Sequence, residues 1–238
     1  MTTRSKIEIR ALAKTFARRS DELAVLADID LDVQAGEFVC LLGPSGCGKS
    51  TLLNIVGGFD RATRGSVAID GQIVRGPSAR CMFVFQESGV FPWATVRENI
   101  ALGLRRRPRD EQDRIVGRYV ELVGLQGFEN SYPAELSGGM KQRVAVARAL
   151  AVSPDIVLMD EPFGALDSLT RLQMRQELHR IWQQERMTVL FVTHDVDESL
   201  QLADRIVLFS PRPARVSEVV EVALAHPRDV AGADYNRL

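Results

Sequence analysis

Apolar and polar positions follow different periods in different stretches of the chain, and the changes of period outline its elements. Residues 6 to 40 read as strands. Within them, Asp28-Ile-Asp-Leu-Asp-Val33 alternates polar with apolar, as a strand with one wet face requires. Ala35-Gly36 is a turn signal, and Glu37-Phe-Val-Cys-Leu-Leu42 predicts a buried strand running into a glycine-rich loop. Leu52 to Val56 continues as helix. Gly65–Ile69 and Gln72–Val74 flank Asp70-Gly71, a hairpin signal. Cys81-Met-Phe-Val-Phe85 predicts another short buried strand.

From 95 to 150 the pattern is mostly helical. Asp110 to Val123 carries apolar residues at 115, 116, 119, 120, 122 and 123, and Lys141 to Val152 predicts a second helix. Ser131-Tyr-Pro-Ala breaks the run between them. Ile156-Val-Leu-Met159 is a continuous apolar run, expected of a strand covered on both faces. Ser168 to Arg186 predicts a long amphipathic helix capped by Asp167 or Ser168. Thr188–Val192 and Ile206–Phe209 predict two more strands, and the Pro-bearing stretch 211 to 238 a late strand and a loose tail. Strands alternating with helices predict an α/β fold with a parallel or mixed sheet and an N-terminal antiparallel β part. The expected organisation is one domain: a core of residues 1–86 and 153–225, a helical insertion over 87–152, and a tail over 226–238.

Composition narrows the classes without choosing among them. The 238 residues suit one or two domains, and 45% apolar with 26% charged residues is ordinary for a globular protein. A formal net charge of -1 gives no global case for nucleic acid as a partner. Cys40, Cys47 and Cys81 lack metal-ligand spacing, and their odd number argues against a disulfide framework, so a reducing cytosolic compartment is expected. The opening MTTRSKIEIR has no apolar core of a secretory signal. No stretch approaches the roughly 18 apolar residues of a spanning helix. Work at a membrane would therefore require docking on a separate chain that crosses it. Arg105, Arg106, Arg107 and Arg109 read as a solvated helical face.

Chemistry is concentrated at Gly43-Pro-Ser-Gly-Cys-Gly-Lys-Ser-Thr51, which matches G-x-x-x-x-G-K-[ST] between a predicted strand and a predicted helix. Glycines let the backbone curl until successive N–H groups face phosphate oxygens, and the helix that follows adds its positive end. Lys49 supplies a compact cation for β- and γ-phosphates, and the Ser50 hydroxyl can ligate Mg²⁺. Gly43, Pro44, Ser45, Gly46, Cys47, Gly48, Lys49, Ser50 and Thr51 are thus candidate contacts for ATP.

Ligands of open α/β sheets bind beyond the carboxyl ends of strands. Gln86, Asp160-Glu161 and Thr193-His194-Asp195 each follow a predicted strand. Asp160 after four apolar residues suits a Mg²⁺-holding carboxylate, and Glu161 a general base for the attacking water.

Leu136-Ser-Gly-Gly-Met-Lys-Gln142 ahead of an apolar-periodic helix resembles the signature of ATP-binding cassette (ABC) transporter ATPases. The other motifs occur in the order found in that family, over roughly residues 5 to 225. The resemblance implies a phosphate-loop (P-loop) NTPase core with an inserted helical subdomain. It implies that Gly43–Thr51 is the Walker A loop, Gln86 the Q-loop glutamine near Mg²⁺, Asp160 the Walker B metal carboxylate and Glu161 the catalytic base. His194 resembles the switch histidine, Asp167 the D-loop aspartate, and Phe16 the aromatic stacked on adenine, where the family more often has Tyr. A head-to-tail homodimer is implied, with Ser137, Gly138, Gly139 and Gln142 of one subunit facing ATP held by the other.

Finer features resemble the nitrate/sulfonate/taurine importer branch: Phe91-Pro-Trp93, Met140-Lys141, Met159 through Asp167, and Ser210-Pro-Arg-Pro213. That branch implies integral membrane permease subunits, a periplasmic or lipoprotein solute-binding protein, and a peripheral place on the cytoplasmic face of the membrane. The sequence stops soon after the core, so the added regulatory barrel of some relatives is expected to be absent. Two alternatives stand: the ATPase of an exporter or lipid extractor, and a soluble non-transport ABC ATPase. The latter usually has two cassettes or long coiled coils, and this chain has one cassette and no heptad run.

Overall fold

The structure is a computed structural model that describes residues 5–17, 21–224 and 228, so the tail expected over 226–238 lies almost wholly outside the described residues. The chain forms two compact units, one of residues up to Ser78 together with those from Thr188 onward, the other Ala79–Met187.

In the first unit, β1 (Ile7–Ala17) pairs antiparallel with β2 (Glu22–Val33). In β2, Ile29, Leu31 and Val33 are buried while Asp28 and Asp30 are exposed, as the alternating pattern requires. β3 (Phe38–Leu42) leads through a loop into α1 (Lys49–Val56). β4 (Arg64–Ile69) and β5 (Gln72–Ile73) form the hairpin around Asp70-Gly71, where both φ angles are positive (50° and 74°). β2, β1, β4 and β5 thus make the antiparallel sheet expected at the N-terminus.

The second unit opens with β6 (Cys81–Val84) and continues through α2 (Val96–Ala101), α3 (Arg109–Leu122), α4 (Gly138–Leu150), β7 (Ile156–Asp160) and α5 (Ser168–Glu185). Residues 87 to 152 hold three of these helices, two 3₁₀ turns and no strand. β6 and β7 pair in parallel, Val84 opposite Met159. One expectation fails here. Cys81, Met82 and Phe83 are only half-buried, Val84 alone is buried, and Phe85 lies beyond the strand and is exposed, stacked on Phe83 at 4.2 Å. β6 ends its sheet, so one flank lacks a covering strand. The cluster at Arg105, Arg106 and Arg107 is exposed, in a turn ahead of α3 rather than on a helical face.

The chain then returns to the first unit with β8 (Thr188–Thr193), α6 (Val196–Leu202), β9 (Arg205–Phe209) and β10 (Val216–Glu221). β3 lies between β8 and β9, parallel to both, while β10 is antiparallel to β9. The sheet is therefore mixed, as expected. Phe38, Val39, Cys40 and Leu41 are each 0% exposed, which explains why β3 is a continuous apolar run rather than an alternating one. α6 was not anticipated. Its cap, Asp195, accepts from the Glu198 N–H at 3.1 Å, so Asp195-Val-Asp-Glu198 is its sequence signal.

Asn99 shows how one buried polar group orders a segment of the second unit. It is 0% exposed. Its Oδ1 accepts from the Phe91 N–H at 2.8 Å. Its Nδ2 donates to the carbonyls of Phe91 (3.2 Å), Ala94 (2.9 Å) and Thr95 (3.0 Å). Residues 91 to 95 are thereby folded onto α2. Asn99→Ala is expected to cost about 2–4 kcal/mol, because it strands buried donors and acceptors. Urea unfolding of the purified variant checks this, and wild-type stability would show that water replaces the amide at no cost.

Candidate nucleotide site

In the first unit, β3, β8 and β9 end at one edge. Leu42 lies opposite Thr193 on one side and Leu208 on the other. Gly43 and His194 therefore leave the sheet at the same edge. Two walls shape the loop that begins there. A Cβ on Gly43 would stand 2.8 Å from the Phe209 carbonyl oxygen. Gly48 has φ of 128°, and a Cβ there would meet Val25 Cγ1 at 2.8 Å and Leu26 Cδ2 at 2.9 Å. The loop is thus pressed between the end of β9 and the flank of β2.

Lys49 opens α1 and is 4% exposed. Its Nζ donates to the carbonyls of Gly43 (2.7 Å) and Pro44 (3.0 Å) and lies 3.9 Å from Cys47 Sγ. These are neutral atoms, so the ammonium's charge is solvated by the loop's own dipoles. Ser45, Gly46 and Ser50 are exposed, Thr51 half-buried and Cys47 buried. Helix α1 begins at Lys49, three residues before the predicted start, so Ser50 lies in its first turn.

His194 is exposed directly after β8, and its neighbours fix the backbone around it. Thr193 Oγ1 donates to Glu198 Oε2 at 2.6 Å and accepts from the Asp195 N–H at 3.0 Å. Glu198 is buried. Sequence reasoning missed this brace, whose signal was a Thr and a Glu five residues apart beside a strand end. Phe16 stands at the end of β1, 39% exposed, with Lys14 Nζ 4.6 Å from its ring centroid. It is a surface aromatic and not part of the core.

In the second unit, parallel pairing of β6 and β7 brings Gln86 and Asp160-Glu161 to one edge. Asp160 is buried, Glu161 half-buried and Gln86 exposed. Glu161 has φ of 44°, a left-handed conformation rare for a side-chain-bearing residue and frequent where geometry is held for chemistry. α4 starts at Gly138 because Ser137 caps it, its Oγ accepting from the Met140 N–H at 3.2 Å. Ser137 and Gly138 are exposed, so the positive end of α4 faces outward. A Cβ on Gly139 would lie 3.1 Å from Leu166 Cδ2, so the turn before α5 packs on the start of α4. Gln142 departs from the other signature residues. It is 2% exposed, and its Nε2 donates to the Phe85 carbonyl at 3.1 Å, so it points into the unit rather than outward. Asp167 caps α5, accepting from the Thr170 N–H at 3.0 Å. That backbone bond, with the Thr170 hydroxyl, holds its carboxyl below the usual range.

A buried lysine folded over a glycine loop, between a central strand and a helix of a mixed α/β sheet, defines a phosphate-loop nucleotide-binding protein. Residues 26–164 match the family model described as ABC transporter. The chain is 47% identical over 232 residues to an uncharacterized ABC transporter ATP-binding protein of Methanocaldococcus jannaschii, covering 97% of this chain and 87% of the relative. It is 45% identical to the aliphatic sulfonates import ATP-binding protein SsuB of Bacillus anthracis, covering 98% and 92%. It is 47% identical to the nitrate import ATP-binding protein NrtD of Synechococcus elongatus, covering 92% and 81%. A solved dimeric ATP-binding cassette in a post-hydrolysis state, bound to ADP and Pi, superposes with a TM-score of 0.83 at 33% identity, covering 92% of this chain and 100% of that one. The chain belongs to the ABC transporter family, and it is an ATPase of that family.

Gly48→Ala is expected to destabilise the first unit by about 2–3 kcal/mol, since it adds both left-handed strain and a clash with Val25 and Leu26. The midpoint of urea unfolding measures it, and an unshifted midpoint would mean that β2 yields freely.

Proposed function

We propose that this chain is the ATP-hydrolysing subunit of an importer for a small oxyanion, of the sulfonate or nitrate class. Its assembly would be a homodimer docked on separate membrane permease subunits at the cytoplasmic face, supplied by a solute-binding protein. The observation that carries the reading is the Lys49 ammonium, buried and hydrogen-bonded to neutral loop carbonyls at 2.7 and 3.0 Å. Such a cation gains by exchanging neutral dipoles for phosphate oxygens. No helix among the described residues is long and apolar enough to cross a membrane, which suits a subunit that docks on others.

The roles follow from the chemistry of each group. Backbone N–H groups of the loop between Gly43 and Thr51, together with the Lys49 ammonium, bind the phosphates, with Phe16 stacking on the base. Among the described residues no group of three or more His, Cys, Asp or Glu is set to hold a metal. That fits Mg²⁺, which binds through few carboxylates, water and substrate phosphates; here Ser50, Asp160 and Gln86 would hold it. When bound, Mg²⁺ neutralises charge on the phosphate oxygens. Glu161 accepts a proton from the attacking water, and His194 and Gln86 contact the γ-phosphate edge. Ser137, Gly138 and Gly139 of a second copy offer a hydroxyl, N–H groups and a helix end to the same nucleotide. Gln142 supports that tip from within the unit.

The substrate class rests on the SsuB and NrtD relatives and on Phe91-Pro-Trp93, Met140-Lys141 and Ser210-Pro-Arg-Pro213. Deleting the gene and testing growth on single sulfonates and on nitrate decides it; undisturbed growth on all of them removes the oxyanion assignment. Lys49→Ala is expected to weaken MgATP binding at least about tenfold, measured by calorimetry, and undiminished affinity contradicts its phosphate role. Glu161→Gln is expected to bind MgATP normally and lose about 100-fold or more in turnover. Near-normal phosphate release by that variant would exclude Glu161 as the base.

A further inference from the structure

Ser210-Pro-Arg-Pro213 marks a branch of the family in the sequence, yet nothing above gives it a task. It forms the turn between β9 and β10. Ser210 and Arg215 close it: the Ser210 N–H donates to the Arg215 carbonyl at 3.0 Å, and the Arg215 N–H to Ser210 Oγ at 3.0 Å. The turn is also stitched to β2. The Ala214 N–H donates to the Val25 carbonyl at 2.9 Å, and the Ala27 N–H to the Ala214 carbonyl at 3.0 Å. Val25 and Leu26 are the residues that crowd Gly48, and Phe209, just before the turn, is the residue that crowds Gly43. The turn is therefore anchored to both walls of the phosphate loop.

From that anchor Arg212 reaches the loop itself. Its Nε donates to the Gly46 carbonyl oxygen at 3.1 Å, and its Nη2 donates to the same oxygen. At the other end of that peptide, the Cys47 N–H donates to the Pro44 carbonyl at 3.3 Å. A peptide is planar, so holding its oxygen and its N–H sets the orientation of the whole unit. This matters because a loop that binds anions must turn N–H groups inward and carbonyls elsewhere. Gly46 is exposed, with φ of 74°, so it has no side chain to hold that peptide, and the Cys47 bond and Arg212 are what restrain it. With its oxygen committed to Arg212, the Gly46 dipole cannot swing toward a bound phosphate.

We propose that Arg212 is a positioning residue for nucleotide binding, holding the Gly46 carbonyl oxygen away from a bound anion. The proposal rests on the reading of residues 43 to 51 as the ATP site. Arg212 is exposed, so its two charge-assisted bonds to one neutral carbonyl oxygen predict a several-fold effect and not abolition.

The test uses the purified full chain as wild type, Arg212→Ala, Arg212→Lys and Lys49→Ala. MgATP affinity is measured by calorimetry, hydrolysis by phosphate release. Arg212→Ala is expected to raise both Kd and KM for MgATP about fivefold, with kcat within about twofold and the unfolding midpoint unchanged. Arg212→Lys keeps a donor and a charge and is expected to recover most of the affinity. The loss should persist in about 0.5 M salt, where attraction between an exposed charge and a distant phosphate is screened. Unchanged affinity in Arg212→Ala, beside a wild type that binds and a Lys49→Ala that does not, overturns the proposal alone. A loss that vanishes in high salt also overturns it, reducing Arg212 to a general attractant. A wild type that binds no MgATP overturns the ATP-site reading and this proposal together.

Discussion

A buried ammonium must be solvated by something, and in this protein the solvating groups are the carbonyls of the loop that Lys49 closes. That contact sets demands on the rest of the first unit. For the Gly43 and Pro44 carbonyls to face Lys49, the chain must curl sharply after β3, and the curl has room only where side chains are missing. Phe209 on one side and Val25 with Leu26 on the other leave no space for a Cβ at Gly43 or Gly48. The walls are in turn fixed by the sheet: β9 by parallel pairing with β3, and β2 by its long ladder with β1. The sheet thus fixes the walls, the walls fix the curl, and the curl places the Lys49 ammonium.

The second unit solves a different problem with the same means. It offers polar groups that begin or follow regular elements, so each backbone is rigid while its side chain stays near the surface. Glu161 comes directly after a wholly buried strand and is held in a left-handed conformation. Ser137 caps α4 and so spends one lone pair on its own helix, leaving a start that faces outward. Burial quiets two thiols, Cys81 of this unit and Cys40 of the first. It pushes the Cys81 thiol up to about 12 and the Cys40 thiol well above its ordinary value, so neither is a ready nucleophile.

Much of this was legible in the residues because it depends on local rules. The alternation in Asp28–Val33, the unbroken apolar run of β3, the turn at Asp70-Gly71 and the cap at Asp167 are all set within a few residues. The phosphate loop was legible for the same reason: its glycines, Lys49 and Ser50 are contiguous. What escaped depends on distant partners. The exposure of β6 follows from its place at the end of a sheet. Gln142 reads as part of the outward tip until α4 is seen to turn it toward the Phe85 carbonyl. Asn99 and Glu198 look like surface residues, and only packing shows that each is buried and fully engaged.

The two cations at the phosphate loop also explain why one is lysine and the other arginine. Lys49 lies inside the curl, where a compact charge on a flexible stem is bonded to the Gly43 and Pro44 carbonyls. Arg212 stands outside, on an anchored turn, where the demand is the opposite. It has to hold one carbonyl in one direction, and a planar, pre-organised fork giving two bonds to the same Gly46 oxygen loses less entropy per hydrogen bond than an ammonium does. The loop therefore pairs a compact, flexible charge inside the curl with a planar fork outside it.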